Sequence, residues 1–307
     1  MVNSSIKFGF DPLSDAKVLC SSFLQNNGIT AKHKNDSILD YCVFNLRVPI
    51  QKPRSICKAN SFVCPSDYTE KLLFLENRIK YGSSLAPFMT KNIRNLNKED
   101  YLLNDWRIYH LHISDMVSDN FVERSSYLLL TLIDSESAYF IKYIKHPAAG
   151  EVLPWGLKEY LEIIDSNWPT ITDNWVLNKN RDMQLVNQLT EEQYIKLRNH
   201  GCNCPVELNN GKIVLGIGGG VSADGSPTEA VFRSNYLKRE LHSLPSLLDR
   251  FVAEGIFVVT GGLSMNLHLI DFCPFCWYRV KSDEGQVFEI YKPNPESFMI
   301  REYSAKN

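Results

Sequence analysis

The chain contains no run of about 18 apolar residues, the length a spanning helix needs, so nothing in it reads as a membrane segment. Its first residues, Met1-Val2-Asn3-Ser4-Ser5-Ile6-Lys7, lack the charged stretch followed by an apolar one that marks a secretory signal, and the expectation is a cytoplasmic protein. An excess of positive charge is missing too. The 33 Lys and Arg stand against 35 Asp and Glu, so a nucleic-acid partner must be held by a local patch, and a histone-like or polybasic role is excluded. Cysteine is sparse: eight in 307 residues are not the dense framework of a small secreted scaffold, and a reducing compartment leaves them as thiols or metal ligands. No G-x-S-x-G elbow, H-E-x-x-H helix, kinase motif set or internal repeat is present.

What is present is globular. Apolar residues at 44% and charged residues at 22% are ordinary values, and the length is large for a single core. Residues 1–170 read as an N-terminal α+β unit, 190–307 as a C-terminal α+β unit, and 171–189, which contain Ile171, Trp175, Val176 and Leu177, as a packed connector that buries Trp175. A helix is expected from Ser14-Asp15 to Asn27-Gly28, and a strand on Ile38, Tyr41, Val43, Phe44, Leu46 and Val48. A second helix follows Pro65-Ser66, with Leu72, Leu75 and Ile79 at helical spacing and Gly82 beyond its end. The basic stretch Lys80, Lys91, Arg94 and Lys98 is either solvated surface or a phosphate-contacting arm.

Three β-rich runs at residues 107–114, 125–133 and 138–146 predict an antiparallel central meander. Alternation puts Tyr109, Leu111 and Ile113 on one face of the first strand and His110, His112 and Ser114 on the other. In the third strand, Tyr139, Ile141 and Tyr143 share a face, opposite Lys142 and His146. A helix near residues 155–166, with Leu157, Tyr160, Leu161 and Ile164, is expected to cover the core face. The fold class is thus α+β: an antiparallel central meander covered by helices, with a C-terminal α+β part packed against it.

His110 and His112 form an H-x-H pair. Histidine gives and takes protons near neutral pH, which metal-free RNA cleavage requires at the 2′-hydroxyl and at the leaving oxygen. His110, His112, Lys142 and His146 are therefore the candidate catalytic residues. They are weighed against ordinary half-exposed sheet positions. Helices followed by a meander, with Trp106-Arg107-Ile108-Tyr109 opening one strand and Ala138-Tyr139-Phe140-Ile141 in another, make residues 66–146 resemble the core of RelE-type toxin endoribonucleases. That family comprises much smaller proteins with a more basic cleavage site. The resemblance implies a small sheet that binds RNA and cleaves it without metal, using basic and aromatic side chains.

Beyond the meander, Cys202-Asn203-Cys204 and Cys273-Pro274-Phe275-Cys276 could supply four thiolates to a structural zinc, with buried thiols as the plainer reading. Redox chemistry at C-P-F-C is disfavoured because the motif runs into the strand-like Trp277-Tyr278-Arg279-Val280 rather than into a helix. Gly216-Ile217-Gly218-Gly219-Gly220 lacks the Lys-Ser/Thr of a P-loop and has Val221 where a dinucleotide fingerprint has its last glycine, which favours close backbone packing over phosphate binding. Helices are expected from Thr190-Glu191-Glu192-Gln193, a capping box, and from Ser226-Pro227-Thr228-Glu229, the latter carrying a covered stripe of Val231, Phe232, Tyr236, Leu237 and Leu241. Strands are expected at residues 212–215, 256–260, 265–270, 276–280 and 286–291.

Two functions follow. One is a metal-independent endoribonuclease or related RNA-directed or other nucleic-acid-directed enzyme, toxin-like, needing no cofactor. The other is a non-catalytic binding or adaptor protein with a protein partner and a structural zinc in its C-terminal part. The first requires His110, His112 and basic neighbours to converge in an open cleft; the second does not.

Overall fold

The computed structural model describes residues 7–114, 121–148, 154–156, 158–179, 185–257, 264–274, 276–294 and 297–303. Leu157, Phe275 and residues 258–260 of the expected strand at 256–260 lie outside them. The chain begins with β1 (Lys7–Gly9), α1 (Pro12–Asn26), α2 (Ser37–Arg47), β2 (Ser55–Lys58), α3 (Thr69–Lys80) and α4 (Tyr101–Trp106). The expected meander follows as β3 (Ile108–His112), β4 (Tyr127–Ile133) and β5 (Ser137–Lys145). Next come α5 (Lys158–Asn167), α6 (Pro169–Asp173), α7 (Glu191–Asn199), β6 (Val206–Glu207) and β7 (Ile213–Val214). The long α8 (Thr228–Ala253) leads into β8 (Ser264–Cys273), β9 (Trp277–Ser282), β10 (Val287–Asn294) and β11 (Ser297–Glu302).

The α+β class stands, but the division of the chain does not fall at residues 171–189. Met1–Cys42 groups with Phe232–Asn307 as one compact unit, and Val43–Val231 forms the other. The first unit holds a five-stranded sheet in the order β1-β8-β9-β10-β11, in which β1 pairs in parallel with β8. The N-terminal residues belong with the C-terminal strands because that pairing and the packing of Ala16 and Cys20 with Leu267 and Leu269 give them their burial. The expected connector lies inside the second unit. There Trp175 is half-buried against the apolar cluster of Trp106, Trp155 and Tyr160.

The run at residues 38–48, expected as a strand, is helical. Asp36 accepts a hydrogen bond from the Leu39 N–H at 3.1 Å, and the buried Ile38, Leu39, Cys42, Val43 and Leu46 recur at helical spacing. Periodicity outweighs the β preference of Ile, Val, Tyr and Phe because burying one stripe is worth more than propensity. Thr190 and Gln193 form the expected reciprocal capping box on α7, while α8 starts at Thr228, one residue after the proline expected at its first position.

The second unit's sheet is mixed, in the order β2-β5-β4-β3: the meander is antiparallel, but Ser55–Lys58 adds to β5 in parallel. Two further expectations for this sheet need correcting. The register shifts between Leu130 and Thr131, which oppose Lys142 and Phe140, so Ile141 is an extra residue in β5. Such a bulge reverses the alternation. Phe140, not Tyr139, therefore shares a face with Tyr143, and Phe62 packs on both rings. Helix α5 does not cover the face opposite the histidines. Its Tyr160, Leu161 and Ile164 pack with Ile108, Leu130, Leu132 and Ile141, on the histidine-bearing face. Residues 128–133 of β4 are all buried, as a central strand covered on both sides must be.

The glycine-rich segment is packing, as its sequence favoured. A Cβ on Gly216 would lie 2.5 Å from the Asp105 carbonyl oxygen, and one on Gly218 would overlap the carbonyls of Leu103 and Asn104. The Gly218 and Gly220 N–H groups instead donate to the carbonyls of Asp105 and Asn104, both at 2.9 Å, which leaves them unavailable to a phosphate.

Candidate functional site

Local sequence chemistry builds the site. The Asp100 carboxylate caps α4 by accepting from the Leu103 N–H at 3.1 Å, and the helix ends where Arg107 takes a left-handed conformation, φ 55°. That reversal is costly for a residue with a Cβ, and it turns the chain directly into β3. Strand alternation then sets His110 and His112 on one face, opposite Leu130 and Leu128 of β4, while Leu111 between them is fully buried. His146 follows β5, its N–H bonded to the Ser126 carbonyl at 2.8 Å.

His110, His112 and His146 line one open cavity of about 400 Å³, together with Arg124, Lys98, Asp100, Tyr101 and Trp155. The rings of His112 and His146 stack with centroids 5.3 Å apart. The Arg124 guanidinium lies against His146, with Nη2 2.9 Å from Nδ1, and donates to the Pro147 carbonyl at 2.8 Å. Asp100 Oδ2 stands 3.9 Å from His110 Nδ1. The Nδ1 atoms of His110 and His112 are buried without a hydrogen-bond partner, which leaves Nε2 as the ring nitrogen each can present to the cavity.

Burial, reinforced by His110, His146 and Arg124, pushes the His112 imidazole down to about 4 from its ordinary 6.5, so it is neutral at physiological pH. The sign of the linkage follows. The unfolded chain binds a proton at His112 that the folded one refuses, so this residue costs stability as pH falls from about 6.5 to about 4 and costs nothing above. Between pH 7 and pH 4, the unfolding free energy of the wild type should drop by about 3 kcal/mol more than that of His112→Gln. Urea titrations at the two pH values check this, and equal drops would show that the ring is solvated.

Lys142 is not part of the group. Although it opposes Leu130 in the same row as His110, its Nζ reaches α5 and pairs with Glu159 at 2.6 Å. The basic stretch does not assemble into an arm either. Lys80 is 3.9 Å from Glu76, Arg94 lies over the Phe121 ring at 5.2 Å, and among the four only Lys98 lines the cavity. Arg47, also in the lining, is tied down by backbone carbonyls of residues 92–98, including Asn95 at 2.9 Å.

Cys202 and Cys204 belong to the second unit, and Cys273 and Cys276 to the first. Between the first pair, Asn203 is a brace for the glycine segment, accepting from the Val221 N–H at 3.0 Å and donating to its carbonyl at 2.8 Å. The second pair closes the turn between β8 and β9, where burial, followed by the bond to Cys276, raises the Cys273 thiol to about 11. Among the described residues no group of three or more His, Cys, Asp or Glu side chains is placed to hold a metal ion. Each of the two cysteine motifs is engaged in local structure within its own unit.

Two contributors to the cavity escape a sequence reading. Asp100 carries a signal, as an acidic residue at the head of a short helix, but only for capping. Arg124 carries none, because its place beside His146 depends on the pairing of β4 with β5.

No protein-family model matches this chain, and comparison with curated proteins and with solved structures likewise gives no match. No helix among the described residues is long and apolar enough to cross a membrane.

Proposed function

We propose that the cavity around His110, His112 and His146 is the site of a metal-independent endoribonuclease. One observation carries the reading: the imidazoles of His110, His112 and His146 line a single open cleft, with the Arg124 guanidinium against His146. His112, held neutral by burial, is available as a base, and the Asp100 carboxylate lies 3.9 Å from His110 Nδ1. In the step this predicts, His112 takes the proton of a ribose 2′-hydroxyl and the oxygen attacks phosphorus. The bond to the 5′ oxygen breaks, and His110 protonates the leaving oxygen, giving a 2′,3′-cyclic phosphate. Arg124, and Lys98 at the rim, would meet the charge that builds on the phosphate. The likeness of residues 66–146 to RelE-type toxin endoribonucleases points the same way.

Incubation of purified protein with total RNA and with DNA, with and without chelator, tests the assignment. Cleavage of RNA with cyclic-phosphate ends, unaffected by chelator and absent for DNA, is the expected result. Inert RNA, or a chelator-sensitive reaction, would remove it.

A further inference from the structure

The sequence Cys273-Pro274-Phe275-Cys276 places a proline second in a four-residue reversal between two strands, where its fixed φ favours a tight turn. The structure closes that turn. Cys273 ends β8 and pairs with Trp277 of β9, and the Cys276 N–H donates to the Cys273 carbonyl at 3.0 Å. The Cys276 carbonyl accepts from the Lys292 N–H of β10 at 2.9 Å, so the sheet of the first unit fixes the backbone at both cysteines. A turn closed in this way keeps its first and fourth Cα atoms within about 7 Å, and a disulfide bridges about 4.4–6.8 Å. The two side chains already meet: the Cys273 and Cys276 thiols are hydrogen-bonded to each other.

Access and chemistry set this pair apart. Cys20 and Cys42 are buried, beyond the reach of a dissolved oxidant, whereas Cys276 is exposed and Cys273 is half-buried beside it. Cys204 directs its thiol to the Cys202 carbonyl rather than to the Cys202 sulfur. Burial is the first cause that keeps Cys273 protonated up to about 11, which disqualifies the pair as a thiol-transfer catalyst, since that chemistry needs a thiolate at neutral pH. The same property favours the oxidised form at equilibrium. Oxidoreductases hold an easily reduced disulfide because their reduced thiolate is stabilised, and a pair without that stabilisation makes a disulfide that is harder to reduce.

We propose that Cys273 and Cys276 close into a disulfide that follows the surrounding thiol redox poise and fastens the β8–β9 turn. The oxidant is a small dissolved disulfide of the glutathione type. The Cys276 thiolate attacks one of its sulfurs and releases one glutathione thiolate. The Cys273 thiolate then attacks the Cys276 sulfur of the mixed disulfide and releases the second. Two protein thiols are oxidised, one disulfide is reduced to two thiols, and the two glutathione thiolates take up the protons that the cysteines lose.

The test exposes the full chain to glutathione disulfide, blocks the remaining thiols with N-ethylmaleimide after denaturation, and weighs the peptide that holds residues 273–276. It should be about 2 Da lighter than the reduced peptide and carry no maleimide. In Cys273→Ser, which lacks the resolving thiol, Cys276 should instead retain glutathione, a gain of about 305 Da. Cys276→Ser should leave Cys273 open to maleimide. Oxidation should also raise the melting temperature of the wild type by a few degrees, reversibly with dithiothreitol, and leave that of Cys276→Ser unchanged. Reduced-state melting temperatures equal to the wild type's would show that both variants fold, and the mapping of the wild type needs neither.

Wild-type protein that accumulates glutathione at Cys276, or that keeps both thiols open to maleimide, would overturn the inference. So would a link from Cys276 to a cysteine of another copy. A mapped disulfide with no change in melting temperature would remove the fastening of the turn.

Discussion

Alanine at His110 or at His112 is expected to lower RNA cleavage by about 10² or more, the usual loss when a positioned acid or base is removed. The two substitutions differ in their pH signature. With His112 as the base, the acidic limb of kcat/KM in the wild type should fall near pH 4, where this buried ring takes up its proton, and not near the ordinary 6.5. Removing His112 should abolish that limb, while removing His110 should leave it in place at a lower rate. Lys142→Ala should be nearly silent in cleavage, because that ammonium is paired with Glu159 on α5 and does not line the cavity. A Lys142→Ala variant as impaired as His112→Ala would refute the catalytic assignment as drawn.

Replacement of Arg198 by Met is expected to destabilise the protein by about 3–5 kcal/mol at pH 7, the largest single-site effect on stability anticipated here. Arg198 and Asp105 are 2% and 1% exposed, and Nε donates to Oδ1 at 2.6 Å, with the Tyr194 hydroxyl donating to the other oxygen at 3.3 Å. Burial raises the Asp105 carboxyl to about 6 despite the guanidinium beside it. Without Arg198 the carboxylate would be buried with no cation to offset the loss of water. A raised acid contributes stability that is full below its unfolded value near 3.8 and is lost as pH rises through about 6. The Arg198→Met defect should therefore shrink as pH falls toward 4, where Asp105 becomes neutral. Asp105→Asn/Arg198→Met should recover part of the loss, because the stranded charge is gone. Denaturant midpoints at pH 7 and pH 4.5 measure both effects, and a pH-independent defect would point to lost packing instead of a stranded charge.

The elements read most faithfully from sequence are those fixed by local chemistry. The capping box at Thr190 and Gln193 needs only residues three apart, and the strands at 108–112, 127–133 and 137–145 announce themselves by β-branched and aromatic content. The expected contact faces were reliable only as far as the alternation was unbroken. His110 and His112 share a face as predicted, but the extra Ile141 reverses the pleat and puts Tyr139 on the opposite face from the one expected. The error at residues 38–48 has the opposite origin: composition spoke for a strand, and the helical recurrence of Ile38, Cys42, Val43 and Leu46 decided otherwise. Short edge additions such as β1 and β2 carry no signal of their own, since three or four residues become a strand only where a sheet edge receives them.

By itself the sequence determined the α+β class, the lack of an apolar run long enough for a spanning helix, the capped start of α7, and the placing of two histidines on one side of one strand. Each of these depends on residues within a few positions of one another, so a linear pattern encodes them fully. Tertiary structure alone decided that His146 and Arg124 join His110 and His112 while Lys142 turns away to Glu159. It alone decided that the N-terminal helix belongs with the C-terminal strands, and that the two cysteine pairs stay in different units. The physical reason is the same for all three: pairing register and the burial of distant apolar stripes choose the neighbours, and neither is written in the spacing of the residues they bring together.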